Sequence, residues 1–385
     1  MRIVCVHQGY ELYGSDRCFI DSVAALREAW PQADIEVVLP REGPIAAPLR
    51  TLASRVSIEP LFILRRRGLL KLLATAPLRF PLALWRAVRR MRGAVLVYVN
   101  TMMVADYLLA ARFFAAKTIV HVHEIPDGIK LKVFRRLLNW TRSEAIFNSK
   151  ATRAAYALPP GRPQHVLYNG IAAPPDAQPS GYDGKRPLRL LMLGRVNRIK
   201  GQDLLIEALA LLPKGVARRL DVRIVGETFE NDRVREDALH KAVRDAGLEP
   251  IVRLEPFHAD PAPLYRWADI VAVPSRLPEA LGRVAIEAMA HQRPPLVARI
   301  GGLPEIVDDR VSGWIVAPND AAALAHTIGE IATRPEEWRG YGAAAHARFE
   351  ATFAAPAIAR QLQSIVRARL TARTQARAAR DLARV

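Results

Sequence analysis

The sequence predicts an α/β protein of two Rossmann-like, doubly wound domains facing each other across a cleft. Three observations carry this. Short apolar, β-branched runs bounded by Pro, Gly or Asn alternate with stretches of helical periodicity, the pattern of parallel strands and their crossover helices. The alternation breaks once, at residues 174–184, where Pro, Gly and polar residues crowd together as in a linker. The chain has 385 residues, of which 50% are apolar, enough for two substantial cores.

In chain order, residues 3–6 read as the first strand and 17–30 as a helix with Phe19, Val23, Leu26 and Trp30 on one face. The loop between them holds two glycines, the geometry by which a phosphate approaches a doubly wound sheet. Its spacing is not G-x-G-x-x-G, so a simple dinucleotide site is not expected. Asp16 suits a helix cap, and His7 ends the strand. Residues 35–39, 94–99 and 117–122 are further strands. His121 and His123 point to the same side of the last of these, since side chains alternate. His123 lies nearer the carboxyl end, where open α/β sheets bind ligands. A metal would need a third convergent ligand, which no spacing supplies; by themselves the two histidines read as satisfied core residues. Residues 145–147 form a strand followed by a helix cap at Asn148-Ser149, and Asn169-Gly170 is a turn signal closing the first domain.

Residues 61–93 stand out. They carry nine Lys and Arg, and no acid occurs between Glu59 and Asp106. Basic and apolar residues interleave, with Phe80 and Trp85 among them, which suits a helix lying in a membrane interface. The alternative is an ordinary helix pair with a solvated basic face. The formal charge of +18 is uneven: residues 1–175 hold 25 Lys+Arg against 12 Asp+Glu, a net of +13. The chain ends in an Arg/Ala helix with arginines at 369, 373, 377, 380 and 384, either solvated or lipid-binding. An anionic partner is implied, but no nucleic-acid-binding motif accompanies the charge. The two cysteines, Cys5 and Cys18, make neither a disulfide framework nor a metal cluster and fit a reducing cytoplasm. The sequence opens directly into a strand, and no apolar run reaches the roughly 18 residues of a membrane span, so a secreted or membrane-spanning protein is not expected.

In the second half, residues 188–193, 222–226, 251–254, 270–275 and 295–298 read as strands. Arg195 and Lys200 flank a short loop after the first of these, and both can reach one diphosphate, Arg as a planar fork and Lys as a point charge. The most informative stretch is residues 278–290. Glu279 sits in a loop, Gly282 at the start of a helix, and Glu287 about two turns along it. A helix N-terminus attracts anions, because its first N–H groups are unpaired and its dipole is positive there. Gly282 lets a phosphate approach the backbone. Glu287 could accept both hydroxyls of a ribose, and Glu279 the hydroxyls of whatever hangs off the far phosphate. Taken alone, the two acids read as a helix-start acid and a solvated helix residue, because acids near helix starts are common.

These pieces form an ordered set. The E-x7-E stretch from Glu279 to Glu287 follows Leu193-Gly-Arg195…Lys200-Gly201 and Val225-Gly226. It precedes Gly301-Gly-Leu-Pro-Glu305. His121-Val-His123, Asn148-Ser149 and Tyr168-Asn169-Gly170 lie upstream. Over about residues 1–350 the chain resembles the retaining GT-B glycosyltransferases of family 4, of the bacterial surface-polysaccharide type. The resemblance implies an acceptor domain at 1–173, a linker at 174–187, a nucleotide-sugar domain at 188–348, and a closing segment at 349–385 that crosses back onto the first domain. It implies His123, Glu279, Arg195 and Lys200 as catalytic residues. It implies Gly14, Arg195, Lys200, Glu279, Leu281, Gly282, Arg283 and Glu287 around the donor, with no metal and no cofactor.

The reaction so implied transfers a hexose or deoxyhexose, such as mannose, glucose or rhamnose, from a GDP-, UDP- or dTDP-linked donor. The configuration is retained, and the leaving phosphate helps to take the acceptor proton. Together with the basic segment, the resemblance suggests a lipid-linked saccharide acceptor at the inner face of the cytoplasmic membrane. Leu281, Gln292 and His258 depart from the family pattern. Two alternatives remain: a sugar-nucleotide epimerase of the same fold, and a non-catalytic binder using the basic face, which would have no need of Arg195, Lys200, Glu279 and Glu287.

Overall fold

The computed structural model describes residues 1–12, 14–64, 69–126, 128–228 and 233–382, the side chains of 69–78 and 376–382 excepted. The chain divides into two compact units, Met1–Gly170 with Ala355–Val385, and Ile171–Ala354.

In the first unit the strands are β1 (Arg2–Val6), β2 (Asp34–Leu39), β3 (Arg55–Ile58), β4 (Leu96–Val99), β5 (Thr118–Val122), β6 (Glu144–Phe147) and β7 (Gln164–Val166). The helices are α1 (Gly14–Ala29), α2 (Ala46–Leu52), α3 (Leu69–Gly93), α4 (Ala105–Ala111), α5 (Gly128–Thr141) and α6 (Lys150–Tyr156). The strands pair in parallel in the order β3-β2-β1-β4-β5-β6-β7. Both faces of such a sheet are covered, so its central strands β1 and β4 are apolar runs from Ile3 to Val6 and from Leu96 to Val99 rather than alternating. On one face Val4, Val97, Val120 and Phe147 pack against Ala87 and Met91 of α3, Leu108 of α4, and Phe134 and Leu138 of α5. On the other, Ile3, Val37, Tyr98 and Ile119 pack against Phe19 and Val23 of α1 and Leu49 of α2.

The second unit has β8 (Leu188–Leu193), β9 (Leu220–Val225), β10 (Val252–Glu255), β11 (Ile270–Val273), β12 (Pro295–Ala298) and β13 (Trp314–Val316), also parallel, in the order β10-β9-β8-β11-β12-β13. Its helices are α7 (Gln202–Ala210), α8 (Lys214–Ala217), α9 (Arg233–Asp245), α10 (Ala262–Trp267), α11 (Arg283–Ala290), α12 (Ala321–Thr333) and α13 (Tyr341–Thr352). The last helix, α14 (Ala355–Leu382), belongs to the first unit and lays Leu362, Ile365 and Val366 on its second face. The two units are thus two Rossmann-like parallel-sheet domains, the fold class expected.

Several local expectations change. The first helix begins at Gly14, not Arg17. Ser149 does cap α6, accepting from the Thr152 N–H at 2.9 Å. Residues 167–170 form no turn. The small residue at 170 has another cause: a Cβ there would lie 3.0 Å from the Cα of Ala355, where the chain passes beside itself on its return. Gly301-Gly-Leu-Pro-Glu305 ends in one 3₁₀ turn (Leu303–Glu305). Gln292, one of the departures from the family pattern, has φ +58°, the left-handed conformation that glycine adopts freely and other residues adopt at a cost of about 1 kcal/mol.

Of the basic segment, Arg65, Arg66 and Arg67 lie outside the described residues. So do Arg384 and the side chains of Lys71, Arg377 and Arg380. Arg369 and Arg373 are engaged within the first unit: Arg369 donates to the Ala115 carbonyl at 2.6 Å and pairs with Glu144 at 3.2 Å, and Arg373 donates to the Val95 carbonyl. No helix among the described residues is long and apolar enough to cross a membrane.

Candidate functional site

In each sheet the strand order reverses once, between β1 and β4 and between β8 and β11. Ligands bind at such a switch point, outside the carboxyl ends of the strands, because the crossover helices leave there in opposite directions. The loops that follow β8 and β11 are therefore the place to look in the second unit, and those that follow β1, β4 and β5 in the first.

In the second unit, β11 runs into Ser275 and Glu279, and α11 starts at Arg283 with Gly282 as its N-cap. Gly282 has φ +126°, which disfavours any side chain, and a Cβ there would lie 2.3 Å from Cδ2 of Leu303. Glycines 301 and 302 fold over the same loop. A Cβ on Gly301 would stand 2.2 Å from the Glu279 carbonyl oxygen, and the Gly302 N–H donates to that oxygen at 2.8 Å. These contacts fix the path of residues 279–282 and hold the first amides of α11, which have no carbonyl one turn back to bond, at the head of the loop.

Each end of this stretch has a partner. Glu279 accepts from Lys200 Nζ at 2.7 Å on one carboxylate oxygen and from Ser275 Oγ on the other. Lys200 comes from the loop after β8, so the loops that follow the two switch-point strands meet through this pair. Glu287 accepts from Arg283 Nε at 2.7 Å and from the Tyr265 hydroxyl at 2.7 Å. It lies one turn into α11, not two, which sets it nearer the helix start than the spacing suggested. Burial, reinforced by the Glu287 carboxylate, pushes the Tyr265 hydroxyl well above its usual value, so it stays a donor. Leu281 turns its side chain into the core at 3% exposure, leaving only its backbone for a ligand. Arg195 follows Gly194 in the β8 loop, and its carbonyl accepts from Gln202 Nε2 at 3.2 Å. Gly226 follows β9, where a Cβ would meet the Gly194 carbonyl oxygen at 2.0 Å.

In the first unit, a buried chain of polar groups crosses the switch point. His7 at the end of β1 shares a hydrogen bond of 2.8 Å with Asp16 of α1. Asn100 at the end of β4 offers Nδ2 to His7 Nδ1 at 3.2 Å and takes His123 Nε2 on Oδ1 at 2.9 Å. The amide sets every proton: His7 accepts at Nδ1 and donates at Nε2 to Asp16, while His123 donates at Nε2 and keeps a lone pair on Nδ1. That Nδ1 is buried and meets no donor. Asp16 is a partner of His7 within the first turn of α1 rather than a helix cap. Burial pushes His123 down to about 3 and lowers His121 as well, so both rings are neutral. The rings of His121 and His123 stand 4.0 Å apart, on the same side as expected. Glu124 accepts from Thr101 Oγ1 at 2.8 Å and is pushed up by burial. Gly14 opens α1 two residues before Asp16.

The structure thus brings Glu279 to Lys200 and Glu287 to Arg283, both around Gly282. His123 and Gly14 stand in the other unit. Asn100, Tyr265, Ser275 and Gly9 were missed. For Asn100 the signal was available, a polar residue at the carboxyl end of a central strand. For Gly9 none was: a Cβ there would lie 1.7 Å from Oδ1 of Asp16, a clash visible only once the chain is folded. Among the described residues no three His, Cys, Asp or Glu converge as a metal site.

Residues 178–348 match the family described as glycosyl transferases, group 1. The chain is 37% identical over 152 residues to the D-inositol 3-phosphate glycosyltransferase of Saccharomonospora viridis, covering 38% of this chain and 35% of that protein. With the enzyme of the same name from Streptomyces griseus it shares 30% over 260 residues, 65% of this chain and 49% of that one. It therefore spans between about a third and a half of the length of these curated relatives. Among solved structures, Anabaena Alr3699/HepE in complex with UDP and glucose has a TM-score of 0.77 at 24% identity, covering 96% of this chain and 100% of that one. Sucrose-phosphate synthase from Thermosynechococcus elongatus has a TM-score of 0.74 at 21% identity, covering 96% and 99%. At these identities the likeness shows the fold.

Proposed function

We propose that this chain is a group 1 glycosyltransferase of GT-B fold that takes a sugar from a nucleotide-diphosphate donor and passes it, with retention, to a hydroxyl acceptor. The observation that carries the reading is the single strand–loop–helix in which Gly282 opens α11 between the Glu279–Lys200 and Glu287–Arg283 pairs. The donor diphosphate sits at the head of α11, where the amides of Gly282 and Arg283 point at it. Arg195 and Lys200 neutralise it, Lys200 exchanging part of its pairing with Glu279 for the phosphate. Glu287, steadied by Tyr265 and Arg283, takes the ribose hydroxyls, and Glu279 takes hydroxyls of the sugar. In the first unit, His123 keeps a lone pair at Nδ1 and is the candidate to accept from a ligand hydroxyl.

Catalysis rests on positioning and on stabilising the leaving diphosphate, and no metal or cofactor takes part. The UDP and UDP-glucose complexes of the Anabaena protein make a uridine diphosphate hexose the first donor to try. We read the acceptor as a lipid-linked saccharide of surface polysaccharide or lipopolysaccharide assembly, met at the inner face of the cytoplasmic membrane, because the first 175 residues carry a net charge of +13. The names of the D-inositol 3-phosphate relatives favour a second acceptor reading, a soluble phosphorylated polyol.

The test is a thermal-shift panel of GDP, UDP, dTDP and their common sugar conjugates on the wild type, Glu287→Ala and Lys200→Ala. A ligand that binds only the native state at a hundred times its Kd adds about 2.7 kcal/mol of stability. One nucleotide series should stabilise the wild type and neither variant; equal shifts in all three proteins would refute the site. Assays with both acceptor classes then separate the two readings.

A further inference from the structure

One face of the first sheet is covered by α3, α4 and α5, with α4 packed against both neighbours and largely buried between them. The inner face of α5 gives Phe134 and Leu138 to the core. Its outer face does not behave like a solvated surface. Ile129 is 79% exposed, Val133 46% and Trp140 51%. With exposed Arg136 they stand at positions i, i+4, i+7 and i+11, a single stripe running about 16 Å along the helix. Exposed Lys130 and Lys132 flank it. Phe113, just before β5, is 76% exposed, and the Arg112 guanidinium lies 5.2 Å from the centre of the Trp140 ring. The described half of α3 repeats the pattern: Leu82 and Trp85 are exposed, and Arg89 sits 5.5 Å over the Trp85 ring.

The acids explain the rest by where they are. Between Glu59 and Glu144 the sequence holds only Asp106, Glu124 and Asp127. Asp106 is buried, Glu124 is turned inward to Thr101, and Asp127 lies outside the described residues. A solvated helix layer mixes both signs of charge, because opposite charges at i and i+4 stabilise it. Here the described outer surface of α5 and of the last part of α3 carries cations and large apolar groups and no acid. Isolated exposed apolar residues need no explanation, but an aligned stripe rimmed by one sign of charge does. Its complement is a surface that is apolar within and anionic at its rim. Aliphatic side chains enter the acyl boundary, Trp sits at headgroup depth, and Lys and Arg reach the phosphates.

We propose that the outer face of α5, with Phe113 and the exposed side of α3, is the docking surface for an anionic lipid bilayer, against which α5 lies in the plane of the interface. The docked surface is a helix pair around α4 rather than the segment 61–93 alone, and Arg369 and Arg373 of α14 take no part, being engaged inside the unit. Because α5 starts five residues after His123, a bilayer held there brings a lipid-borne hydroxyl to the carboxyl edge of the sheet. The proposal complements the transfer reading and does not depend on it, since lipid binding is measured without donor or acceptor.

The experiment is co-sedimentation of the full chain with vesicles of phosphatidylcholine alone and with a third of phosphatidylglycerol. The proteins are the wild type, Ile129→Asp/Val133→Asp, Lys132→Glu/Arg136→Glu, and an Arg218→Glu/Arg219→Glu control in the second unit. Each basic side chain near such a surface strengthens binding about fivefold. Both α5 variants should therefore lose at least tenfold on anionic vesicles at unchanged melting temperature and unchanged nucleotide thermal shift, while the control binds as the wild type does. Trp140→Phe should bind but lose part of the fluorescence quenching by brominated lipid. Equal binding to neutral vesicles, no binding at all, or loss in the control alone would overturn the proposal. So would salt-sensitive binding to nucleic acid that survives Ile129→Asp/Val133→Asp.

Discussion

His7 donates Nε2–H to Oδ1 of Asp16 across 2.8 Å, and neither side chain reaches solvent. The pair anchors one end of a hydrogen-bonded chain that runs through Asn100 to His123 and fixes which nitrogen of each ring carries the proton. Gly9 lies so close over the pair that no other residue fits without displacing it.

Gly9→Ala is therefore expected to break the pair. Separating a buried, hydrogen-bonded charge from its partner costs about 3 kcal/mol, and urea unfolding should show a loss of that order. A change under about 0.5 kcal/mol, within the range of an ordinary surface substitution, would mean that the pair carries no stability.

Lys200→Met removes the cation from Glu279 and from the proposed diphosphate. A hydrogen bond to a charged group contributes about 1.5–3 kcal/mol, so calorimetric titration should show nucleotide diphosphate binding weakened by roughly 10- to 100-fold. The matching nucleoside should bind about as before, since it lacks the phosphates. Equal losses for both would point to a collapsed loop instead.

Tyr265→Phe deletes one hydroxyl while keeping the ring that stacks on His291 at 5.0 Å. Glu287 then keeps only the Arg283 hydrogen bond. A loss of about 1.4 kcal/mol, tenfold in Kd, is expected for nucleotides with an intact ribose. A dideoxyribose analogue should lose little, because it gives Glu287 nothing to hold. An unchanged Kd would remove Tyr265 from the site.

Asp106 gives a pH dependence with a definite sign. Burial pushes its carboxyl up to about 6, and one of its oxygens has no partner. A raised folded-state value means stability that is complete below the unfolded value near 4 and is lost as pH rises through about 6. Asp106→Asn, neutral at every pH, should match the wild type at pH 4 and exceed it by about 2 kcal/mol at pH 8 in urea unfolding. A constant difference at both pH values would show that Asp106 is ionised throughout.

Much of the fold could be read in the sequence, because parallel strands covered on both faces must be apolar along their whole length. Residues 3–6 and 270–273 were visible as strands for that reason. The loop from Glu279 to Glu287 was visible too, since a helix start after a buried strand leaves free amides wherever it occurs. The partners were not. Lys200 and Glu279, Tyr265 and Glu287, and the four residues from Asp16 to His123 are far apart in sequence, and no periodicity links them.

The sequence by itself determined two Rossmann-like halves and the short stretch that heads α11, because backbone geometry and local burial are written in neighbouring residues. Only the tertiary structure decided which helix faces stay exposed. It sank α4 and bared the stripe from Ile129 to Trp140. It also turned Arg369 and Arg373, which the sequence left as either solvated or lipid-binding, onto the carbonyls of Ala115 and Val95. The physical reason is that a side chain's exposure depends on what packs against its helix, and that packing is set by crossovers whose ends lie tens to hundreds of residues apart.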